Sequence, residues 1–132
     1  MEYHRSTRFF EAGLPFSESV RLGDVLYLSG QLGNEPGQKR LVPGGLEAEV
    51  HQTMRNIAHV LGKHGLSFDH VFRVQVMLAD MAEWDAFNKV YVTYFKSERL
   101  PARSAWGSTG LALGARCEVE AWAYCGTTLT QS

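Results

Sequence analysis

Pro101-Ala102-Arg103-Ser104 is the segment of this chain best suited to hold a small acid, because Arg103 opens an extended run directly after a proline corner. Its backbone is therefore fixed rather than left on a flexible helix face. A planar guanidinium matches a carboxylate through two parallel hydrogen bonds, which makes arginine the usual clamp for small acids. The next extended run, residues 115–124, alternates with period two. Arg116, Glu118, Glu120, Trp122 and Tyr124 share one face, and Cys117, Val119, Ala121 and Ala123 share the other. Spacing alone leaves two readings of Arg103 open. It either clamps a ligand or pairs with Glu118 or Glu120 as a structural salt bridge.

Other residues that invite chemistry are better explained by packing or solvation. His51, His59 and His64 are eight and then five residues apart on one predicted helix, which is not the one-turn spacing of a helical metal pair. They are expected to be solvated helix residues, with no metal site. The glycines of residues 30–37 are not followed directly by a helix, as a phosphate cradle requires, and are assigned to turns. Cys117 and Cys125 would lie about 26 Å apart along one strand, too far for a disulfide, so both are expected to be reduced. The formal net charge is −1, with no basic cluster, which disfavours nucleic acid as the main partner.

These residues need a scaffold, and the hydrophobic pattern supplies one. The chain has 132 residues, 45% hydrophobic and 20% charged, which fits a single globular domain over residues 1–132. Neither a signal-peptide core nor a stretch of roughly 20 apolar residues is visible, so a cytoplasmic protein without a membrane span is expected. Residues 19–22 and 25–29 flank the turn dipeptide Gly23-Asp24 and read as a β-hairpin. A long loop follows over residues 30–45, with a short strand at Leu41-Val42. Leu46, Val50, Met54, Ile57 and Leu61 then form one apolar helical stripe that begins after Gly44-Gly45 and stops near Gly65.

Residues 71–78 alternate as a half-exposed strand, with Phe72, Val74, Val76 and Leu78 assigned to the inner face. A second helix starts at an Asp80 cap and carries the stripe Trp84, Phe87, Tyr91, Tyr94 and Phe95. Two strands, residues 103–107 and 115–124, complete the order β-β-α-β-α-β-β. This pattern predicts an α+β fold, a mixed sheet with both helices on one face.

Several landmarks occur in one order along this scaffold: Ser29-Gly30-Gln31, Val42-Pro43-Gly44-Gly45, Asn88 with Tyr91, Pro101-Ala102-Arg103-Ser104, and Glu118-Val119-Glu120-Ala121. Together they resemble the Rid (YjgF-like) family of enamine/imine deaminases, from about residue 16 to 124. The resemblance implies a chorismate-mutase-like fold, a homotrimer with sites in the clefts between subunits, and no metal or organic cofactor. It implies hydrolysis of reactive 2-enamines and 2-imines of small amino acids, such as 2-aminoacrylate, to a 2-keto acid and ammonia. By position, Arg103 would hold the substrate carboxylate and Glu118 would hold or activate the attacking water. Ser29 and Gly30 would line the pocket, Asn88 would give structural support, and Phe16 and Trp106 could wall the site.

Two departures from the family's pattern bear on the substrate. Phe16 stands where many deaminase members carry a tyrosine, and Ala105 stands where a cysteine is frequent. Three functions follow from the resemblance, in this order: a deaminase, an endoribonuclease, and a non-catalytic sensor of small 2-keto acids.

Overall fold

The computed structural model describes residues 1–6 and 12–126. Six strands and two α-helices are present among them: β1 (Glu2–His4), β2 (Ser19–Leu22), β3 (Val25–Leu28), α1 (Leu46–Lys63), β4 (Val71–Leu78), α2 (Trp84–Tyr91), β5 (Ala102–Gly107) and β6 (Cys117–Tyr124). The strands form one sheet in the order β1-β2-β3-β6-β4-β5. β4 and β5 run parallel, and the other neighbours are antiparallel. A parallel neighbour needs a crossover rather than a hairpin, and α2 lies on the connection from β4 to β5. The last strand, β6, inserts between β3 and β4 and ties the hairpin half of the sheet to the crossover half. The expected α+β class with a mixed sheet and two helices is the observed one.

One face of the sheet and the apolar stripes of both helices make the core. Val50, Met54, Ile57 and Leu61 of α1 and Phe87 of α2 are at most 1% exposed, and they pack on Leu26, Leu28, Val74, Val76, Leu78, Cys117, Val119 and Ala121 from the strands. Two acids in the first turn of α1, Glu47 and Glu49, and Lys63 in its last turn suit the helix dipole. Asn56 reaches from α1 to the long loop and donates through Nδ2 to the carbonyls of Leu32 (2.9 Å) and Asn34 (3.1 Å). That anchor fixes the segment leaving β3. No helix among the described residues is long and apolar enough to cross a membrane.

Three expectations change. β1 was not expected, because its three residues show no apolar alternation; pairing with β2 holds it, with Tyr3 opposite Val20. Phe72 does not face the core but is 42% exposed, since a bulge between Val71 and Arg73 gives the inner position to Val71 instead. The helix histidines are not all solvated. His51 Nδ1 lies 2.6 Å from the Tyr94 hydroxyl, and His64, the residue that caps α1, packs edge-on against His4 at 4.6 Å between ring centroids.

Candidate active site

Arg103 is set by its strand. In the parallel register it lies opposite Val74, and Ala105 lies opposite Val76, so both point to the helix side of the sheet. There the guanidinium carbon sits 4.8 Å from the ring centroid of Tyr91, 5.8 Å from Phe87 and 5.9 Å from Trp84. Cation–π attraction holds the group from the α2 side. Arg103 takes part in none of the ion pairs among the described residues. Ala105, the neighbour on that face, is partly buried against the core.

Tyr91 is 5% exposed, and its hydroxyl makes no hydrogen bond of good geometry among the described residues; Oδ1 of Asn88 has no partner there. Burial pushes the Tyr91 hydroxyl up to about 12, and the Arg103 guanidinium beside it opposes the rise, by its charge and as a hydrogen-bond donor. The ring is therefore neutral at ordinary pH.

Glu118 is on the other face. It pairs in register with Met77, which in turn faces Trp106, so Glu118, Met77 and Trp106 form one row across three strands. Two strand spacings separate Trp106 from Glu118, about 10 Å. The structural salt bridge between Arg103 and a β6 carboxylate is thus not formed, because alternation puts the partners on opposite sides of one sheet. No helix among the described residues covers the face carrying Glu118, which displays Tyr27, packed at 5.2 Å on Trp122, together with Trp106, 42% exposed.

The segment after β3 reaches Glu118 directly. Gln31 and Val119 exchange backbone hydrogen bonds of 2.8 and 3.0 Å, which lays the preceding residue, Gly30, against the carboxylate. A Cβ at Gly30 would stand 2.1 Å from Oε2 of Glu118, so only glycine fits beside that oxygen. Ser29 is pinned from both ends of its polar inventory: its hydroxyl donates to the Ser17 carbonyl (2.6 Å) and its amide to the Glu18 carbonyl (3.0 Å). These bonds place the segment containing Phe16, 47% exposed, beside the Ser29-Gly30 turn.

The two acids of β6 are not equivalent. Glu120 accepts a hydrogen bond from the Trp122 indole at 3.2 Å. The Glu118 carboxyl is held above its usual range, first by the loss of water on burial and second by the Glu120 charge. A carboxylate in that condition takes a proton more readily than a free one, which suits a general base. Cys117, in contrast, is fully buried, and burial pushes its thiol up to about 11, so it is no nucleophile. Among the described residues no group of three or more His, Cys, Asp or Glu could hold a metal ion.

The structure therefore joins Glu118, Gly30 and Ser29, places Trp106 on the same face two strands away, and leaves Arg103 with Ala105 on the opposite face. The aromatic surround of Arg103 was missed as a site feature. Its signal was legible: Trp84, Phe87 and Tyr91 form a helical stripe, and the parity of β5 turns Arg103 toward it.

Comparison with known proteins gives the family and the fold relatives of this chain. The sequence matches the endoribonuclease L-PSP family, also called the Rid or YjgF family, over residues 7–125. The chain belongs to that family. Among Rid-family relatives, the goat protein named 2-iminobutanoate/2-iminopropanoate deaminase is 41% identical over 118 residues, 89% of this chain and 85% of the relative. The mouse protein of the same name is 39% identical over 112 residues, 85% of this chain and 82% of the relative. In structure, a putative endoribonuclease from Thermotoga maritima superposes with a TM-score of 0.85 at 28% identity, covering 96% of this chain and all of that one.

Proposed function

We propose that this protein is an enamine/imine deaminase that hydrolyses 2-imines of small amino acids to 2-keto acids and ammonia. The observation that carries the reading is Arg103, a fixed arginine that forms no ion pair with a carboxylate among the described residues. Such a group is charged, oriented and available to a ligand carboxylate. The imine carbon is already electrophilic, so orientation, one positioned water and proton transfer suffice. Glu118 takes a proton from the water as it adds to the C=N carbon and returns it to the nitrogen, giving a carbinolamine. Transfer of the hydroxyl proton to that nitrogen, again through Glu118, breaks the C–N bond, releases ammonia and leaves a carbonyl. Water and imine go in, keto acid and ammonia come out, and neither a metal nor an organic cofactor is consumed. The deaminase names of the goat and mouse relatives point the same way.

Arg103 and Glu118 serve one substrate only if they come from different copies of the chain. The reading therefore includes a homotrimer with each site in a cleft between subunits, where Arg103 of one copy faces Glu118, Ser29 and Gly30 of the next. The uncovered sheet face bearing Tyr27, Trp122 and Trp106 supports this, since such an apolar surface is normally covered. In the same reading Phe16 and Trp106 exclude bulk water from the cleft, Ala105 leaves room beside Arg103, and the protein works in the cytoplasm, where its free cysteines stay reduced.

The test is turnover of freshly generated imines of several amino acids, following keto acid and ammonia together. Wild-type protein should accelerate both, and Arg103→Lys should weaken keto-acid binding roughly tenfold to a hundredfold, because the forked, bidentate contact is lost. Absence of acceleration with keto acid still bound through Arg103 would favour a sensor, the reading that Phe16 and Ala105 support. Cleavage of RNA abolished by Arg103→Ala in a folded protein would instead favour the ribonuclease that the family's name describes.

A further inference from the structure

An arginine can be held in place by a carboxylate or by aromatic faces, and the two devices differ in what they leave for a ligand. A carboxylate neutralises the charge and occupies the donor fork. Rings attract the cation through their faces and leave the in-plane N–H groups free. Here the guanidinium of Arg103 lies within 6 Å of three ring centroids on α2, with Tyr91 closest at 4.8 Å. The Tyr91 ring is itself immobilised. It stacks on Phe87 (5.6 Å between centroids, 25° between planes) and leans on Phe95 (4.9 Å), which in turn packs edge-on against Phe68 (5.2 Å).

We propose that Tyr91 is a positioning residue for the carboxylate clamp: the face of its ring, supported by Phe87 and Trp84, fixes the Arg103 guanidinium without neutralising it. This rests on the deaminase reading in one respect, that Arg103 binds the substrate carboxylate. The hydroxyl is buried beside the Arg103 guanidinium, and Tyr91→Phe removes that contact while keeping the ring face. Tyr91 touches no reacting atom. It acts on affinity by sparing the long arginine side chain the loss of freedom it would otherwise suffer when a ligand binds.

Three variants separate the possibilities, measured by keto-acid calorimetry, by kcat and KM on freshly generated imine, and by melting. Tyr91→Phe should hold affinity within about twofold, since the ring face is kept. Tyr91→Leu should weaken keto-acid binding about 2- to 30-fold and raise KM by a similar factor, with kcat and the acid limb of the pH profile unmoved. Arg103→Ala should abolish binding. Should Tyr91→Leu not fold, stepwise fluorination of a phenylalanine at position 91 weakens the ring face at nearly constant shape, and affinity should fall with each fluorine. Unchanged affinity in Tyr91→Leu or across the fluorinated series, with Arg103→Ala inactive in binding, would overturn the positioning role alone. Equal losses in Tyr91→Phe and Tyr91→Leu would overturn it in favour of the hydroxyl. Binding that survives Arg103→Ala would remove the clamp itself and this role with it.

Discussion

At the scale of single residues, Glu118 and Glu120 show how two acids two positions apart on one strand acquire different surroundings. Glu120 is steadied by the Trp122 indole, while Glu118 loses water and feels the Glu120 charge, so its carboxyl titrates above the usual range. A base must be ionised to act, so the rate should fall as pH drops through that raised value. Glu120→Gln removes the like charge, lowers the Glu118 pKa and should move the acid limb of the pH–rate profile to lower pH. An unmoved limb would mean that Glu118 is not the titrating base. Glu118→Gln should cut turnover roughly a hundredfold to ten-thousandfold, with ligand affinity changed much less.

The same shift predicts a stability effect of opposite sense. Because the folded pKa is raised, the fold binds this proton more tightly than the unfolded chain does. The group's contribution is therefore most favourable at low pH and is lost as pH rises from the unfolded value through the folded one. Glu118→Gln should raise Tm at neutral pH and lose that advantage in acid. A lower Tm at neutral pH would show that the carboxylate makes a favourable contact that burial does not outweigh.

At the scale of elements, the site depends on how a loop is laid against a strand. Asn56 of α1 holds the segment after β3, Gln31 bridges to Val119, and Gly30 is left in contact with the Glu118 carboxylate. Gly30→Ala puts a methyl 2.1 Å from the present position of Oε2, so either the loop or the carboxylate must shift by about an ångström. Displacement of that size should lower turnover on the order of a hundredfold with the fold intact. Circular dichroism and single-turnover rates on the same protein check this, and full activity would show that Glu118 need not stand where it does.

Much of this level was legible in the chain. The α1 stripe, the hairpin and the alternation of β6 follow from the periods of their apolar residues, and Pro101 announces the rigid start of β5. The bulge at Phe72 was not, because an inserted residue shifts alternation without changing composition. β1 was not either, since its residues gain their place from pairing with β2 rather than from a pattern of their own. The approach of Gly30 to Glu118 joins residues far apart in sequence, and only the sheet order brings them into contact. The opposite facing of Arg103 and Glu118 could have been read from strand parity, but only once β4 was known to lie between β5 and β6.

At the scale of the whole molecule, one chain in the proposed reading presents half a site on each side of its sheet. The helix-covered side holds Arg103, the proposed clamp, in an aromatic setting, and the other side holds Glu118, the proposed base, with the close glycine and exposed tryptophan surface. An apolar sheet face without a helix is stable when a neighbour covers it, and a closed ring of identical chains covers every copy in the same way. Sedimentation should therefore give a trimer at micromolar concentration, and a stable monomer there would speak against shared sites.

Subunit complementation tests the shared site directly. Arg103→Ala and Glu118→Gln proteins, each inactive alone, are dissociated together under mild conditions and reassembled as mixed oligomers. If each site takes its clamp from one subunit and its base from the next, random mixing should restore about a quarter of the wild-type sites and a matching share of imine hydrolysis. Oligomers shown to be mixed that remain inactive would contradict the account, because Arg103 and Glu118 would then not meet across a subunit boundary.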